Sequence, residues 1–405
     1  MEITLNFKSA ILNGEVRLPA SKSISNRVLI INALADSVLP VENLADCDDT
    51  NSMLRVLNSD GNRFDIGHAG TAMRFLTAFL SRIVGCWEIT GSERMQQRPI
   101  SVLVDALNQL GARIEYIGKP GCPPLRIQGS LLMGGEIEMP ASVSSQYISA
   151  LMMIAPYMAN GLKIELTGKI VSRTYIEMTR RIMEDFGAGV TFKGSEIVVE
   201  PRPYTPVAFR VESDWSAASY FYELLAISGR GEIRMSGLWQ HSTQGDSGQV
   251  EVWKKLGVST RFEAGGVVIV AGKPEVSKLE YDFVEMPDLT QSFAVACCAM
   301  GIPFRFTGVE TLRIKETDRL KALTDELEKL GYILQIEGDN VLSWDGTRGQ
   351  AGKPEIATYH DHRMAMAFAP AALKHPGMVI VDKEVVTKSF PGYWEELKKF
   401  CEERN

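Results

Sequence analysis

Apolar positions recur along the chain at spacings of three and four, stop at a glycine, and give way to alternation, and this succession occurs four times. The segments are residues 106–114, 182–190, 252–260 and 327–334. Each predicts a helix closed by a C-terminal glycine, followed by a strand. The closing glycines, Gly111, Gly187, Gly257 and Gly331, lie 76, 70 and 74 residues apart. A second series is interleaved with the first: short polar or glycine-containing openings that lead straight into small and apolar helical runs. Its members begin near Lys22, Gly70, Ser144, Asp214, Asp288 and Asp361, at spacings of 48, 74, 70, 74 and 73. Two independent series with one period imply repeated α/β units, the first of them short. The period exceeds the roughly 20–50 residues of solenoid repeats, so globular domains are expected.

At 405 residues the chain is longer than one hydrophobic core usually serves, which makes two domains of three units each the natural division. Its six cysteines have no paired metal spacing, and Cys297 and Cys298 are adjacent in an apolar run. Reduced, mostly buried thiols are expected rather than a disulfide framework. No stretch approaches the roughly 20 apolar residues that span a bilayer, and the start lacks a basic segment followed by an apolar core. The sequence therefore reads as soluble, cytoplasmic and without a transit peptide. A net charge of -7 argues against general nucleic-acid binding, so any anion site must be a local concentration of cations.

Several openings have that character. In Ser21-Lys22-Ser23-Ile24-Ser25-Asn26-Arg27, Ser21 or Ser23 can cap a helix, and Lys22 and Arg27 add positive charge where free N–H groups already favour an anion. Gly67-His68-Ala69-Gly70 offers close backbone approach, and Val143-Ser144-Ser145-Gln146 two hydroxyls and a carboxamide. Taken singly, each is equally a plain helix cap. In the C-terminal half, Lys315-Glu316-Thr317-Asp318-Arg319 would place Lys315 and Arg319 four apart on one helical face. Asp288, after Pro287, has the default role of an N-cap, as has Asp361 before His362-Arg363.

Together with Arg98-Pro99-Ile100, Ser172-Arg173-Thr174-Tyr175, Gln244-Gly245-Asp246, Asp361-His362-Arg363-Met364-Ala365-Met366 and Thr387-Lys388-Ser389-Phe390-Pro391, these openings resemble the 5-enolpyruvylshikimate-3-phosphate synthase family from residue 18 to residue 394. The resemblance implies an α/β fold of two similar domains, each of three repeated βαβαββ-type units, with the active site in the interdomain cleft. Residues 19–212 would form the N-terminal, shikimate-3-phosphate-binding domain. Residues 1–18 and 213–405 would form the C-terminal domain, which carries the catalytic acids and the cations for phosphoenolpyruvate (PEP).

Carried across by motif, the shikimate 3-phosphate site would comprise Lys22, Ser23, Arg27, Ser144, Ser145, Gln146, Ser172, Tyr175, Asp288 and Lys315. Ser144, Ser145, Ser172 and Lys315 would hold the phosphate, and Ser23 and Arg27 the carboxylate. The PEP site would comprise Lys22, Gly70, Arg98, Gln146, Arg319, Arg363 and Lys388. The implied reaction is addition followed by elimination, with enolpyruvyl transfer to the 5-hydroxyl and release of phosphate. Asp288 is the candidate base for that hydroxyl, Glu316 the candidate for the C3 proton, and Lys22 would protonate or neutralise the departing phosphate. No metal or cofactor is implied; the partners are the two small-molecule substrates, not nucleic acid or membrane, and a monomer is expected.

His68 stands where asparagine is common in the family, Phe75 where some members have proline and Thr311 where some have asparagine, and the first unit lacks about two strands relative to longer members. The alternative is the related transferase acting on UDP-N-acetylglucosamine, marked by Lys-Asn at the first opening and a reactive loop cysteine. Here the opening is Lys22-Ser23, without a matching cysteine. A noncatalytic anion-binding scaffold is disfavoured by Asp288, Glu316 and Lys22 together.

Overall fold

The computed structural model describes residues 1–8, 11–142 and 144–401. Val143, which leads the Ser144 opening, lies outside the described residues. The chain divides into two compact units, a continuous one, Ala20–Val211, and a split one made of Met1–Pro19 with Glu212–Asn405. Each has its own hydrophobic core.

The helices are α1 (Lys22–Leu34), α2 (Asp48–Leu57), α3 (Gly70–Arg82), α4 (Ser101–Gln109), α5 (Ser145–Ile154), α6 (Arg173–Asp185), α7 (Trp215–Ser228), α8 (Gln249–Lys255), α9 (Thr290–Met300), α10 (Arg319–Lys329), α11 (His362–Phe368) and α12 (Tyr393–Lys398). The odd-numbered helices are the six openings. The four glycine-ended segments are α4, α6, α8 and α10. Gly111, Gly187, Gly257 and Gly331 each follow the helix cap with φ of 106°, 83°, 88° and 82°, a left-handed conformation that costs glycine nothing and other residues about a kcal/mol or more.

One sheet topology recurs four times. In the continuous unit the strands Arg63–Asp65, Gly85–Thr90, Leu125–Gly129 and Arg113–Tyr116 lie side by side in that order, the first pair parallel and the others antiparallel. The same pattern joins Gly135–Pro140, Leu162–Thr167, Glu196–Val199 and Val190–Lys193. In the split unit it joins Leu12–Val16, Gly231–Ser236, Gly266–Ala271 and Val258–Glu263, and again Leu279–Asp282, Phe304–Thr307, Val341–Trp344 and Gln335–Glu337. With the intervening helices this is the expected βαβαββ order. The remaining sheet of the continuous unit is only Val41–Glu42 beside Phe209–Arg210, which accounts for the short first spacing in the sequence. Its counterpart in the split unit has three strands, with Ile3–Leu5 antiparallel to Met378–Ile380.

The two helix series differ in burial, and their sequences say why. Position after position is buried in α5 from Tyr147 to Ile154 and in α7 from Ala217 to Ile227, as befits helices apolar all round. The glycine-ended α6 and α10 bury one face only and carry Arg180, Glu184, Lys321 and Asp325 on the other. The openings therefore sit at the starts of core helices, whose rigid packing fixes what their first turns present. All six cysteines are free thiols, and only Cys86 is exposed.

Some core positions break the apolar pattern. Glu223, on α7, is 0% exposed and neither carboxyl oxygen makes a hydrogen bond of good geometry. Burial pushes its acid well above the ordinary carboxylate range, opposed only in part by Ser292. A raised acid stabilises the fold fully below its unfolded-state value of about 4.3, and that stability drains as pH rises toward the folded-state value. The melting temperature is therefore expected to fall more steeply between about pH 5 and about pH 8 in the wild type than in Glu223→Gln. Parallel melting curves across that range would contradict the burial of a neutral acid here.

Candidate functional site

The caps and first two turns of α1, α3, α5 and α6 carry every residue that the sequence assigns within the continuous unit, apart from Arg98, which lies in the loop ahead of α4. Ser21, not Ser23, caps α1, accepting from the Ile24 N–H, so Ser23 is free of the capping role. Lys22, the first residue of the helix, places its ammonium 3.1 Å from the Asp49 carboxylate at the start of α2. Asp49 is 2% exposed; burial on one side and the ion pair on the other fix the direction of Lys22.

Arg27 is locked by its surroundings. Its Nε donates to Thr179 Oγ1 at 2.7 Å, Nη1 to the Ser23 carbonyl at 2.8 Å, and Nη2 to Ser149 Oγ and the Tyr175 carbonyl at 3.2 and 3.4 Å. The guanidinium also lies 5.3 Å from the Phe75 ring centroid and 5.9 Å from that of Tyr175. Burial lowers its pKa to about 10, still a full charge at neutral pH. Four of its five N–H donors are thus directed at the protein. Phe75 serves as the aromatic face beneath this charge.

Ser144 caps α5 through the Gln146 N–H, and Gln146 Nε2 reaches Thr71 Oγ1 at 3.3 Å, so the openings of α3 and α5 are joined directly. Ser172 leads α6 in a left-handed conformation, φ 53°, which a serine adopts at a cost of about 1–3 kcal/mol and which is typical of positions held for function. The Arg98 side chain lies across the start of α3: a Cβ added to Gly70 would stand 2.7 Å from Arg98 Nη1. The loop carrying Arg98 is pinned at Pro99, whose carbonyl accepts from Tyr147 Oη at 2.5 Å and from the buried Arg74 at 3.5 Å. His68 is exposed, its Nδ1 2.9 Å from Ser92 Oγ.

In the split unit the assigned residues form one ion network. Arg319, the first residue of α10 and 1% exposed, uses its fork on three carboxylates: Nε to Asp361 at 2.7 Å, Nη1 to Asp288 at 2.9 Å, and Nη2 to Glu316 at 3.0 Å. Asp288 also takes Lys315 at 3.2 Å and Arg363 at 3.2 Å, while Glu316 takes Lys388 at 2.6 Å. Arg363 further meets the Tyr220 hydroxyl at 3.4 Å. Four cations face three carboxylates, which leaves an excess positive charge suited to a polyanion.

Two sequence expectations are corrected here. Asp288 is not an N-cap: it lies in a short 3₁₀ turn, Pro287–Leu289, before α9 begins at Thr290, and its carboxylate is given to cations rather than to helix N–H groups. Lys315 is not on a helix with Arg319, because Asp318 caps α10 and starts it at Arg319. Lys315 reaches the same Asp288 oxygen as Arg319 from the preceding loop. Burial alone would raise the Asp288 acid, but Arg363, Lys315 and Arg319 together hold it well below the usual range. Arg319 is shifted the opposite way, upward: burial opposes its charge, and Asp361, Glu316 and Asp288 more than offset that.

Asp361, Asp49 and Tyr220 were not assigned from sequence. Asp361 had a signal, since it stands in the Asp361-His362-Arg363 motif, but it both caps α11 through the Arg363 N–H and pairs with Arg319, and only the cap is visible locally. Thr311, in the turn Glu310–Ile314, leaves its Oγ1 without a hydrogen bond.

The chain is matched by known proteins along nearly its whole length. The family model described as EPSP synthase (3-phosphoshikimate 1-carboxyvinyltransferase) matches residues 8–62 and 57–397. A 3-phosphoshikimate 1-carboxyvinyltransferase from Bacteroides fragilis (strain YCH46) is 53% identical over 390 residues, covering 96% of this chain and 95% of the relative. One from Vibrio cholerae serotype O1 (strain M66-2) is 36% identical over 416 residues, covering 96% of each. The 2.37 Å structure of EPSP synthase from Acinetobacter baumannii superposes with a TM-score of 0.79 at 21% identity, covering 99% of this chain and 98% of that one, and so shares the fold. The family model and the two relatives span nearly every opening described above, and on that ground the chain belongs to the EPSP synthase family.

Proposed function

We infer that this protein transfers the enolpyruvyl group of PEP to the 5-hydroxyl of shikimate 3-phosphate, releasing phosphate, as a step in aromatic biosynthesis. The observation that carries the reading is the Arg319 network, in which two carboxylates able to move protons are held among an excess of cations. Shikimate 3-phosphate is assigned to Lys22, Ser23, Arg27, Ser144, Ser145, Gln146, Ser172, Tyr175, Asp288 and Lys315. PEP is assigned to Lys22, Gly70, Arg98, Gln146, Arg319, Arg363 and Lys388. Supporting these assignments are the buried hydroxyls and joined openings of the continuous unit and the four cations of the split one.

The resting ion pairs carry a consequence for mechanism. A carboxylate held far below its usual pKa is a weak base, so Asp288 needs its cations drawn elsewhere before it can accept the hydroxyl proton. PEP and the acceptor phosphate compete for Arg363 and Lys315, and their binding raises the basicity of Asp288 as it takes those partners away. Lys22, oriented by Asp49, neutralises the leaving phosphate. Among the described residues no helix is long and apolar enough to cross a membrane. A cytoplasmic monomer is the proposed form, which sedimentation of the purified protein checks for mass.

The testing experiment is phosphate release from PEP with shikimate 3-phosphate, with UDP-N-acetylglucosamine, or with unphosphorylated shikimate. Release only with the first supports the reading; release with the nucleotide sugar overturns it. Gly70→Ala gives a finer check on the PEP assignment. The atoms a Cβ would strike are side-chain tips, Arg98 Nη1 at 2.7 Å and Arg74 Nη1 at 3.0 Å, so the fold survives and Arg98 gives way. KM for PEP is expected to rise roughly ten- to a hundredfold, with KM for shikimate 3-phosphate little changed. A lowered melting temperature with an unaltered KM for PEP would remove Gly70 and Arg98 from the PEP site.

A further inference from the structure

Of the six core-helix openings, the start of α7 is the one with no assigned part in the reaction, and it is wrapped by a buried acid. Asp246, in the short turn Gly245–Gly248, is 3% exposed. Its Oδ2 accepts a hydrogen bond from Ser216 Oγ, and its Oδ1 makes none. The turn is rigidly tied to α7: Gln249 Nε2 donates to the carbonyls of Asp246 and Trp215 at 2.9 and 2.6 Å, and Gln244 Oε1 accepts from the Trp215 N–H at 3.1 Å. Ser216 and Tyr220 stand four apart on α7 and so share a face. Tyr220 presents its hydroxyl to Arg363 Nη1 at 3.4 Å. Asp246 and Arg363, the cation that also grips Asp288, are therefore linked through one face of α7, Asp246 on Ser216 and Arg363 on Tyr220.

We propose that Asp246 is a positioning residue that works as a neutral acid, leaving the Arg363 charge available to PEP while it holds its proton and competing with PEP for that charge once ionised. The inference rests on the assignment of Arg363 to PEP. The charged groups facing Asp246 are Arg363 on α11, Asp288 ahead of α9 and Asp214 at the cap of α7, while Glu251, Lys254 and Lys255 of α8 are exposed. Burial, helped by the two aspartates and opposed by Ser216 and Arg363, raises the Asp246 acid to about 7. A trianion arriving at Arg363 penalises the ionised form further, so PEP binding takes up a proton here and weakens as pH rises through the neutral range.

The test is KM for PEP at saturating shikimate 3-phosphate, from about pH 6 to about pH 9, in wild type, Asp246→Asn and Ser216→Ala. Ionisation of PEP itself cancels in the ratios. Asp246→Asn mimics the neutral acid: it is expected to match the wild type at the acid end and to hold PEP up to about tenfold more tightly at the alkaline end. Ser216→Ala removes a hydrogen bond that favours the charged form, so its rise in KM is expected at higher pH than in the wild type. Superimposable profiles for wild type and Asp246→Asn, or an Asp246→Asn that binds PEP more weakly at every pH, would overturn the inference alone in an active enzyme. Absence of any turnover of PEP with shikimate 3-phosphate in the wild type would overturn the functional reading and this inference with it.

Discussion

Asp288→Asn and Glu316→Gln are expected to fold and to lose about 10²–10⁴-fold in kcat, the scale of a positioned proton-transfer group. Each swap keeps the shape of the side chain and one acceptor oxygen for its cation, so Arg319 retains a partner at each position. What disappears is the capacity to accept and return a proton. Binding of PEP and shikimate 3-phosphate, measured by calorimetry, is expected to survive, because removing one negative charge from the network does not weaken its hold on anions. Rates within a fewfold of wild type for both variants would reduce the two residues to anchors for Arg319. Loss of substrate binding together with loss of rate would point to the same conclusion.

Arg319→Lys is expected to be the most damaging substitution that preserves charge. One planar fork meets Asp361, Asp288 and Glu316 in three directions, and a single ammonium cannot reproduce that geometry. Asp361 is 0% exposed, and a buried carboxylate left without its partner costs about 3–5 kcal/mol. A melting temperature several degrees lower is expected, with kcat/KM reduced by about 10²-fold or more from misplacement of the two proton-transfer groups. Retention of both stability and rate would show that the fork is not what organises the network.

The repeat was legible because its signals are local. A helix that ends at a glycine needs only the identity of a few neighbouring residues, and Gly111, Gly187, Gly257 and Gly331 all take the left-handed conformation that such an ending requires. The short first spacing between openings likewise reflects a segment that holds the strands Val41–Glu42 and Arg63–Asp65 but not the antiparallel pair that follows each glycine-ended helix. The partners of the site residues were not legible, because they are set by packing between distant segments. Asp288 and Arg363 are 75 positions apart, and Glu316 and Lys388 are 72 apart. Nor does any local pattern place Phe75 under Arg27, Asp49 beside Lys22 or Tyr220 against Arg363. The cap expected at Asp288 failed for a local reason: Pro287 begins a separate turn, which leaves the aspartate two residues short of α9. Resemblance supplied the residues of the site, and packing supplied the way they hold one another.

The most direct measurement follows the transferred carbon atoms themselves. PEP labelled with ¹³C at C2 is incubated with the protein and shikimate 3-phosphate, and the label is traced by NMR while inorganic phosphate is counted. The expected result is a new enol-ether carbon attached through the 5-oxygen of shikimate 3-phosphate, formed in equal amount to the phosphate released and absent when UDP-N-acetylglucosamine replaces the acceptor. Label that stays in PEP in the presence of shikimate 3-phosphate, or that appears on the nucleotide sugar, would contradict it.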